Sequence, residues 1–302
     1  MTQTVLILGA NGKIGCHAAA AFWDAGWTVR RYDRATDMTQ AAIGADVIVN
    51  GLNPPAYHDW ENTIPAITQQ VIAAAKASGA TVIIPGNVYN FGAAGGELSE
   101  DTPQAPTTRK GRVRVEMEAT YRASGVRTII LRAGSFIDPN RNGDAMAMML
   151  LRDPRKARVG AMGAPDIIHA YCYLLDWARA AVALAERRDT LAAFADIPLP
   201  GHAFSVAEFK AVLEQATGRS YKISPFPWWL MTVLSPLWEL ARELREMRYL
   251  WDMSHWIGSE KFTRVLPDFR PTDTRTVMLS GLPADIHPDK AVRASRQSVA
   301  AQ

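Results

Sequence analysis

The stretch Val5-Leu6-Ile7-Leu8-Gly9-Ala10-Asn11-Gly12-Lys13-Ile14-Gly15 constrains the fold most strongly: an apolar run, a glycine-rich turn and the start of an alanine-rich helix follow one another without a spacer. Glycine at such a turn permits a tight bend and close backbone approach. Unpaired N–H groups at the helix N-terminus, aided by the helix dipole, can then hold a pyrophosphate. The spacing is Gly-x-x-Gly-x-x-Gly rather than the older Gly-x-Gly-x-x-Gly fingerprint. On this reading Gly9, Asn11, Gly12, Lys13, Ile14 and Gly15 bind a dinucleotide. The plainer account of the same glycines is a closely packed strand-to-helix turn.

The first half of the chain alternates short β-branched runs with longer alanine-rich stretches, the pattern of a parallel sheet covered by helices on both faces. Strands are expected at 4–8, 28–32, 46–50, 81–84 and 127–131, and most are too continuously apolar to have one wet face. Helices are expected at 13–25, 63–78 and 108–124, ending at Gly26, Gly79 and Gly125. Beyond Asp138 the alternation weakens, with strand candidates at 157–160, 166–171 and 192–197 and a sheet-packing helix at 174–186. The expected fold is α/β, a doubly wound parallel-sheet Rossmann fold with a smaller, partly interleaved C-terminal substrate domain. The large domain would span 1–136, with 164–190 returning to it, and the smaller one 137–163 and 191–302.

Within the second part, Leu237, Leu240, Leu244, Met247 and Trp251 recur at helical spacing opposite Glu239, Arg242, Glu243, Glu246 and Arg248. The segment 226–256 holds five of the nine tryptophans. Its Phe226-Pro227-Trp228-Trp229-Leu230-Met231 run reads first as core, and otherwise as a pocket wall or a dimer contact.

At the end of the second strand, Asp33 lies 33 − 9 = 24 positions after the first glycine and Arg34 follows it. An acidic residue there reads the 2′-hydroxyl of NAD and a basic one the 2′-phosphate of NADP, so the cofactor is NAD or NADP with the preference open. The loop Gly51-Leu52-Asn53 after the third strand borders the cofactor at the carboxyl edge of the sheet. His58, farther along that loop, is the one histidine weighed as an acid/base. Asn87 and Tyr89 stand at the tip of the fourth strand, where either could hydrogen-bond a carbonyl or hydroxyl.

Composition narrows the partners. In 302 residues, 33 Lys and Arg against 30 Asp and Glu leave a net charge of +3, too small to imply nucleic acid or an anionic membrane, although it leaves room for a local basic patch. Cys16 and Cys172 read as buried free thiols of a reducing, cytoplasmic compartment. There is no uninterrupted apolar run of membrane-spanning length and no metal-ligand spacing. The expected partner is a small-molecule substrate, with a homodimer left open.

Several segments in order resemble the extended and atypical short-chain dehydrogenase/reductase superfamily, the NAD-dependent epimerase/dehydratase-like proteins. They are the Gly9 turn, Ala45-Asp46-Val47-Ile48-Val49, Asn87-Val88-Tyr89-Asn90-Phe91-Gly92, Glu100-Asp101-Thr102-Pro103, Leu131-Arg132-Ala133-Gly134-Ser135-Phe136, and Ile168-His169 followed by Asp176-Trp177-Ala178-Arg179-Ala180. The resemblance implies that Ala133 and Gly134 border the cofactor. It also implies Tyr-x-x-x-Lys on the helix after Pro106, but no tyrosine of this chain is followed four residues later by lysine.

The matching stretch places Lys110 at the tyrosine position and Arg114 at the lysine position. That pattern resembles the isoflavone-reductase-like and NmrA-like branch, which implies Lys110 as acid/base and as a cofactor contact. Its cationic neighbours Arg109, Arg112 and Arg114 and its place in the first helical turn would favour a neutral amine, and a nearby anion such as cofactor phosphate would explain the position. The leading expectation is an NAD(P)H-dependent oxidoreductase of an organic carbonyl or conjugated compound, with Lys110, Tyr89 and Asn87 catalytic. The alternatives are a non-catalytic NAD(P)-sensing regulator of the NmrA type and a nucleotide-sugar epimerase or dehydratase.

Overall fold

The computed structural model describes residues 2–140, 143–144 and 146–288. Its strands are β1 (Thr4–Leu8), β2 (Thr28–Arg31), β3 (Val47–Asn50), β4 (Thr81–Gly86), β5 (Gly96–Leu98), β6 (Thr128–Arg132), β7 (Ser135–Ile137), β8 (Arg158–Ala161), β9 (Ile168–Tyr173), β10 (Phe194–Pro198), β11 (His202–Ser205), β12 (Lys222–Pro225) and β13 (His255–Ile257). The α-helices are α1 (Lys13–Asp24), α2 (Met38–Ala42), α3 (Trp60–Ser78), α4 (Arg109–Ser124), α5 (Leu174–Glu186), α6 (Val206–Thr217), α7 (Trp228–Leu234), α8 (Glu239–Glu246), α9 (Glu260–Val265) and α10 (Thr274–Ser280).

The central sheet runs β10-β6-β4-β3-β1-β2 with every pairing parallel. Alternate residues of its strands enter two cores, which explains why the runs are apolar at every position. Val5, Ile7, Val47, Val49 and Ile129 pack with α1 and α5 through Ala18, Phe22 and Ala181. Leu6, Leu8, Ile48, Val82 and Ile130 face α3 and α4 through Ile64, Val71, Val113 and Met117. Helices α3 and α4 stop at Gly79 and Gly125, whose φ values of 73° and 74° are left-handed and favour glycine.

The smaller part is built on a three-stranded sheet, β11-β9-β7, and on two strand pairs, β12-β8 and β13-β5. Tyr171, Phe204, Phe209 and Val277 form its core with α6 and α10. The strand Phe194–Pro198, expected in the smaller domain, instead extends the central sheet beside β6, where Ala195 and Ile197 enter the α1/α5 core. Periodicity could not assign it, because a short buried strand reads alike in either sheet. Residues 289–302, placed by the same expectation in the smaller domain, lie outside the described residues.

A buried charge cluster ties the sheet together. Arg132, fully buried on β6, donates to Asp196 on β10 at 2.5 Å, to Glu118 on α4 at 2.8 Å and to the Asn87 carbonyl beyond β4 at 2.6 Å. Removing one member leaves the others charged and dry. Arg132→Ala is therefore expected to cost about 3–5 kcal/mol, read from urea unfolding; a loss near that of a surface pair, under about 1 kcal/mol, would show that water reaches the cluster.

Candidate active site

The glycine turn is built by backbone contact. Gly9 has φ 72°, and a Cβ at Gly15 would fall 2.2 Å from the Gly9 carbonyl oxygen, so only glycine lets α1 start so close to β1. A Cβ at Gly51, after β3, would fall 2.9 Å from the Leu8 carbonyl oxygen. The N-cap Gly12 has no side-chain cap to offer, and the first-turn N–H groups of a helix have no partner within it. This cradle fits a pyrophosphate, with Asn11, Lys13 and Ile14 on the turn. Ala133 is buried, and Gly134 packs so close that a Cβ would meet the Ala170 carbonyl oxygen at 2.4 Å.

Asp33 and Arg34 lie just past the carboxyl end of β2, which pairs with β1 below the glycine turn. The Asp33 carboxylate turns into its own loop, accepting from Ala35 N at 3.0 Å.

The loop after β3 leads from the cradle to α4. Leu52 N donates to the Asn50 side chain at 3.1 Å, and Asn53 Oδ1 accepts from Arg114 Nη2 at 2.8 Å. Ala56, Tyr57 and Asp59 all adopt positive φ, of 52°, 63° and 46°, a conformation non-glycine residues hold only when their surroundings impose it. The strain brings the Tyr57 hydroxyl to 3.3 Å from that of Tyr89, and His58 to 3.0 Å from Glu239 of α8. Arg114 lies over the Trp60 ring at 4.5 Å, and the Lys110 ammonium over the Tyr57 ring at 5.0 Å. Tyr57, Tyr89, Lys110, Arg114 and Asn53 are thus one contiguous group beside a cleft of about 310 Å³, which Tyr57, Trp60, Lys110 and Glu243 help to line.

Electrostatics in the group follow from burial and neighbours. The nearby Tyr89 phenol, and then burial, push Tyr57 well above the usual tyrosine value, and burial raises Tyr89. Burial lowers Arg114 from the ordinary guanidinium value. Although burial works against it, Lys110 holds the Glu246 carboxyl below its usual range.

Two expectations need correction here. Lys110 is not surrounded by cations that would favour a neutral amine. Its buried ammonium is clasped by Glu243 and, at 2.6 Å, by Glu246, both from α8. The anion that explains a lysine in the first turn is therefore the protein's own: Glu246 also accepts from Lys110 N at 3.2 Å, and Arg109 joins Glu243 at 2.6 Å. Asn87 is likewise engaged locally, its Oδ1 accepting from Tyr89 N at 3.0 Å. His58 sits outside the buried group, its side chain 70% exposed.

Two groups escaped the sequence reading. Asn90 is fully buried, and neither atom of its amide finds a hydrogen-bond partner; a buried amide left so is costly unless a ligand or water completes it. Ser135 Oγ lies 2.8 Å from His169 Nε2, and the His169 ring stacks on Trp251 at 4.0 Å with His255 at 4.5 Å. The segments that carry the family resemblance contain Asn90, Ser135 and His169, but nothing in them gave these residues a role.

No protein-family model matches the chain, and no curated protein sequence does. Solved structures do. UDP-glucuronic acid 4-epimerase from Bacillus cereus, in complex with UDP-glucuronic acid and NAD, superposes with a TM-score of 0.74 at 16% identity, covering 97% of this chain and 100% of that one. MoeE5, in complex with UDP-glucose and NAD, gives 0.73 at 17% identity over 97% and 99%. A dTDP-4-dehydrorhamnose reductase from Clostridium acetobutylicum gives 0.61 at 18% identity over 74% and 84%. The fold is that of the short-chain dehydrogenase/reductase epimerases and reductases.

The histidines of the smaller part make stability depend on pH. Burial, then the charge of His255, holds His169 well below the usual histidine value, and burial lowers His255. Unfolded, both take up protons near pH ~6.5, whereas the native state resists, so stability is full above that pH and falls as the pH drops through it. Urea unfolding between pH 7.5 and 5.5 should show this decline, with a shallower slope in His255→Asn; a flat wild-type profile would contradict it.

Proposed function

We propose that the protein is an NAD(P)H-dependent reductase of a carbonyl-bearing small molecule. The observation that carries this reading is geometric: the side chains gathered beside the cleft, Tyr57, Tyr89, Lys110 and Arg114, all carry hydrogen-bond donors. Tyr57 and Tyr89 stay as neutral phenols whose O–H groups donate, and the Lys110 and Arg114 side chains lie over the Tyr57 and Trp60 rings. Delivering a proton to a carbonyl oxygen needs such donors, while the oxidative half of an epimerisation needs a base to take one away. The carboxylates within reach, Glu243 and Glu246, are occupied by Lys110 and Arg109.

The residues that would hold the dinucleotide are Gly9, Asn11, Gly12, Lys13, Ile14 and Gly15 at the pyrophosphate, Asp33 and Arg34 at the adenosine ribose, and Gly51, Leu52, Asn53, Ala133 and Gly134 along its course. When bound, its nicotinamide supplies a hydride. Tyr89 gives the proton to the substrate oxygen, and Tyr57, hydrogen-bonded to it, shares the load. Arg114 sits over Trp60 and fixes Asn53 at the end of the cofactor loop. Lys110 anchors α8 over the group through its two glutamates. The likeness to structures containing UDP-sugars makes nucleotide-linked keto sugars the first substrates to test.

A second reading, a dinucleotide sensor without turnover, draws on the same clasp: the side chain that stands where the family keeps its acid/base is locked in an ion pair.

The test begins with fluorescence titration of NADH and NADPH, in which micromolar binding of either is expected and binding of neither would end both readings. A preference for NADH would show that Asp33 reads the ribose, and one for NADPH that Arg34 does. Oxidation of the bound coenzyme is then followed against nucleotide-linked keto sugars and a panel of simple ketones and aldehydes. With an accepted substrate, Tyr89→Phe should lower kcat by about 10²–10⁴-fold while coenzyme affinity holds; an unchanged kcat removes Tyr89 as donor. Failure of every carbonyl despite tight coenzyme binding would favour the sensor.

A further inference from the structure

The fold leaves large apolar side chains of α7 and the following turn in water. Trp229 is 69% exposed, Val233 66%, Leu237 96% and Trp238 44%. Trp229 and Val233 are four residues apart on α7 and so share a face. Leu237 and Trp238 follow in an ordered turn, their N–H groups donating to the Leu234 carbonyl at 3.1 and 2.9 Å. Such a cluster on one short hairpin is the kind of patch that marks an interaction surface.

The charges of α8 are sorted around it. Its carboxylates turn inward, Glu239 to His58 and Glu243 and Glu246 to Lys110 and Arg109. Its arginines both reach Ser235 before the patch, although Arg242 also helps to line the cleft. Arg242 Nη1 donates to the Ser235 carbonyl at 3.3 Å and Arg245 Nη1 to Ser235 Oγ at 2.6 Å, both neutral acceptors two residues before Leu237. Among the described residues no ion pair joins either arginine to a carboxylate, whereas Arg248 has Asp252 at 3.4 Å.

We propose that the α7–α8 hairpin docks on an anionic membrane surface, with Trp229, Val233, Leu237 and Trp238 in the boundary between headgroups and acyl chains and Arg242 and Arg245 on lipid phosphates. Tryptophan and leucine with arginine at their border are the composition of an interfacial anchor. The charges favour this occupant over a second copy of the chain, because across a twofold contact Arg242 and Arg245 would need carboxylates of the same patch, and Glu239, Glu243 and Glu246 are already engaged by His58, Arg109 and Lys110. No described helix is long and apolar enough to cross a membrane, so the hairpin lies on the surface.

Flotation of the full-length protein with vesicles tests the proposal without reference to coenzyme or substrate. Vesicles of phosphatidylcholine containing about one-third phosphatidylglycerol should carry the protein up the gradient, and pure phosphatidylcholine should carry far less. Arg242→Gln and Arg245→Gln should each weaken partition by about fivefold, and Leu237→Glu, at a fully solvated position that leaves the fold intact by circular dichroism, should abolish it. The proposal is overturned if the protein stays at the bottom with both vesicle types, or if Leu237→Glu floats like wild type. Sedimentation showing a dimer that Leu237→Glu dissociates, without flotation of the wild type, would assign the patch to a second copy instead.

Discussion

The close approach of three backbone segments at Gly9, Gly15 and Gly51 sets the geometry on which the candidate site depends. A single methylene at Gly15 would sit 2.2 Å from a carbonyl oxygen of β1's turn, and one at Gly51 would sit 2.9 Å from the Leu8 carbonyl oxygen. Because no side chain intervenes, α1 begins against the ends of β1 and β3, and its N-terminus lies at the carboxyl edge of the sheet. The loop after Gly51 must then leave along that edge. It does so in a strained path whose left-handed residues place Tyr57 on Tyr89 and His58 on Glu239. Strain of that kind persists only where neighbours hold it, and here the neighbours are the site and α8.

Helix α8 has an unusual buried face. Its inward side carries Glu243 rather than a run of leucines, because what it covers is the ammonium of Lys110 and the guanidinium of Arg109. A buried ion pair adds little net stability once desolvation is counted, but it fixes orientation: the helix can seat in only one register on α4. That register decides what the other side of the hairpin presents. With Glu243 and Glu246 held by Lys110 and Arg109, the outward side of the hairpin keeps its tryptophans, Leu237 and Arg245, while Arg242 stands between the patch and the cleft.

Much of the large domain was legible in the sequence because one physical rule governs it. Strands buried on both faces are apolar throughout, and helices between them end at glycine, so 4–8, 28–32, 46–50, 81–84 and 127–131 fall on β1, β2, β3, β4 and β6 with ends displaced by at most two residues. The glycine turn was legible for the same reason, since steric need leaves its mark in residue identity. What escaped depends on contacts between distant segments. Lys110 and Glu246 are 136 positions apart, and nothing near Lys110 in the sequence announces a carboxylate partner. The surrounding arginines suggested the opposite environment. Ser135 and His169, 34 positions apart, and the unpartnered amide of Asn90 are of the same kind.

The tryptophan-rich segment shows why helical periodicity alone misjudges burial. Leu237, Leu240, Leu244, Met247 and Trp251 keep helical spacing, but the α-helix spans only Glu239–Glu246. Leu237 precedes it in a turn and points to water, while Trp251 lies in a later 3₁₀ turn, buried against His169. Two ends of one apparent stripe thus serve opposite surroundings. The break falls at Trp238, which adopts an extended conformation, φ −121° and ψ 109°, between the turn that closes α7 and the start of α8. The chain turns there, so that one side of the hairpin meets the ion cluster over the candidate site and the other carries apolar and cationic side chains outward. Whatever contacts the outer side bears on an element whose inner side clasps Lys110.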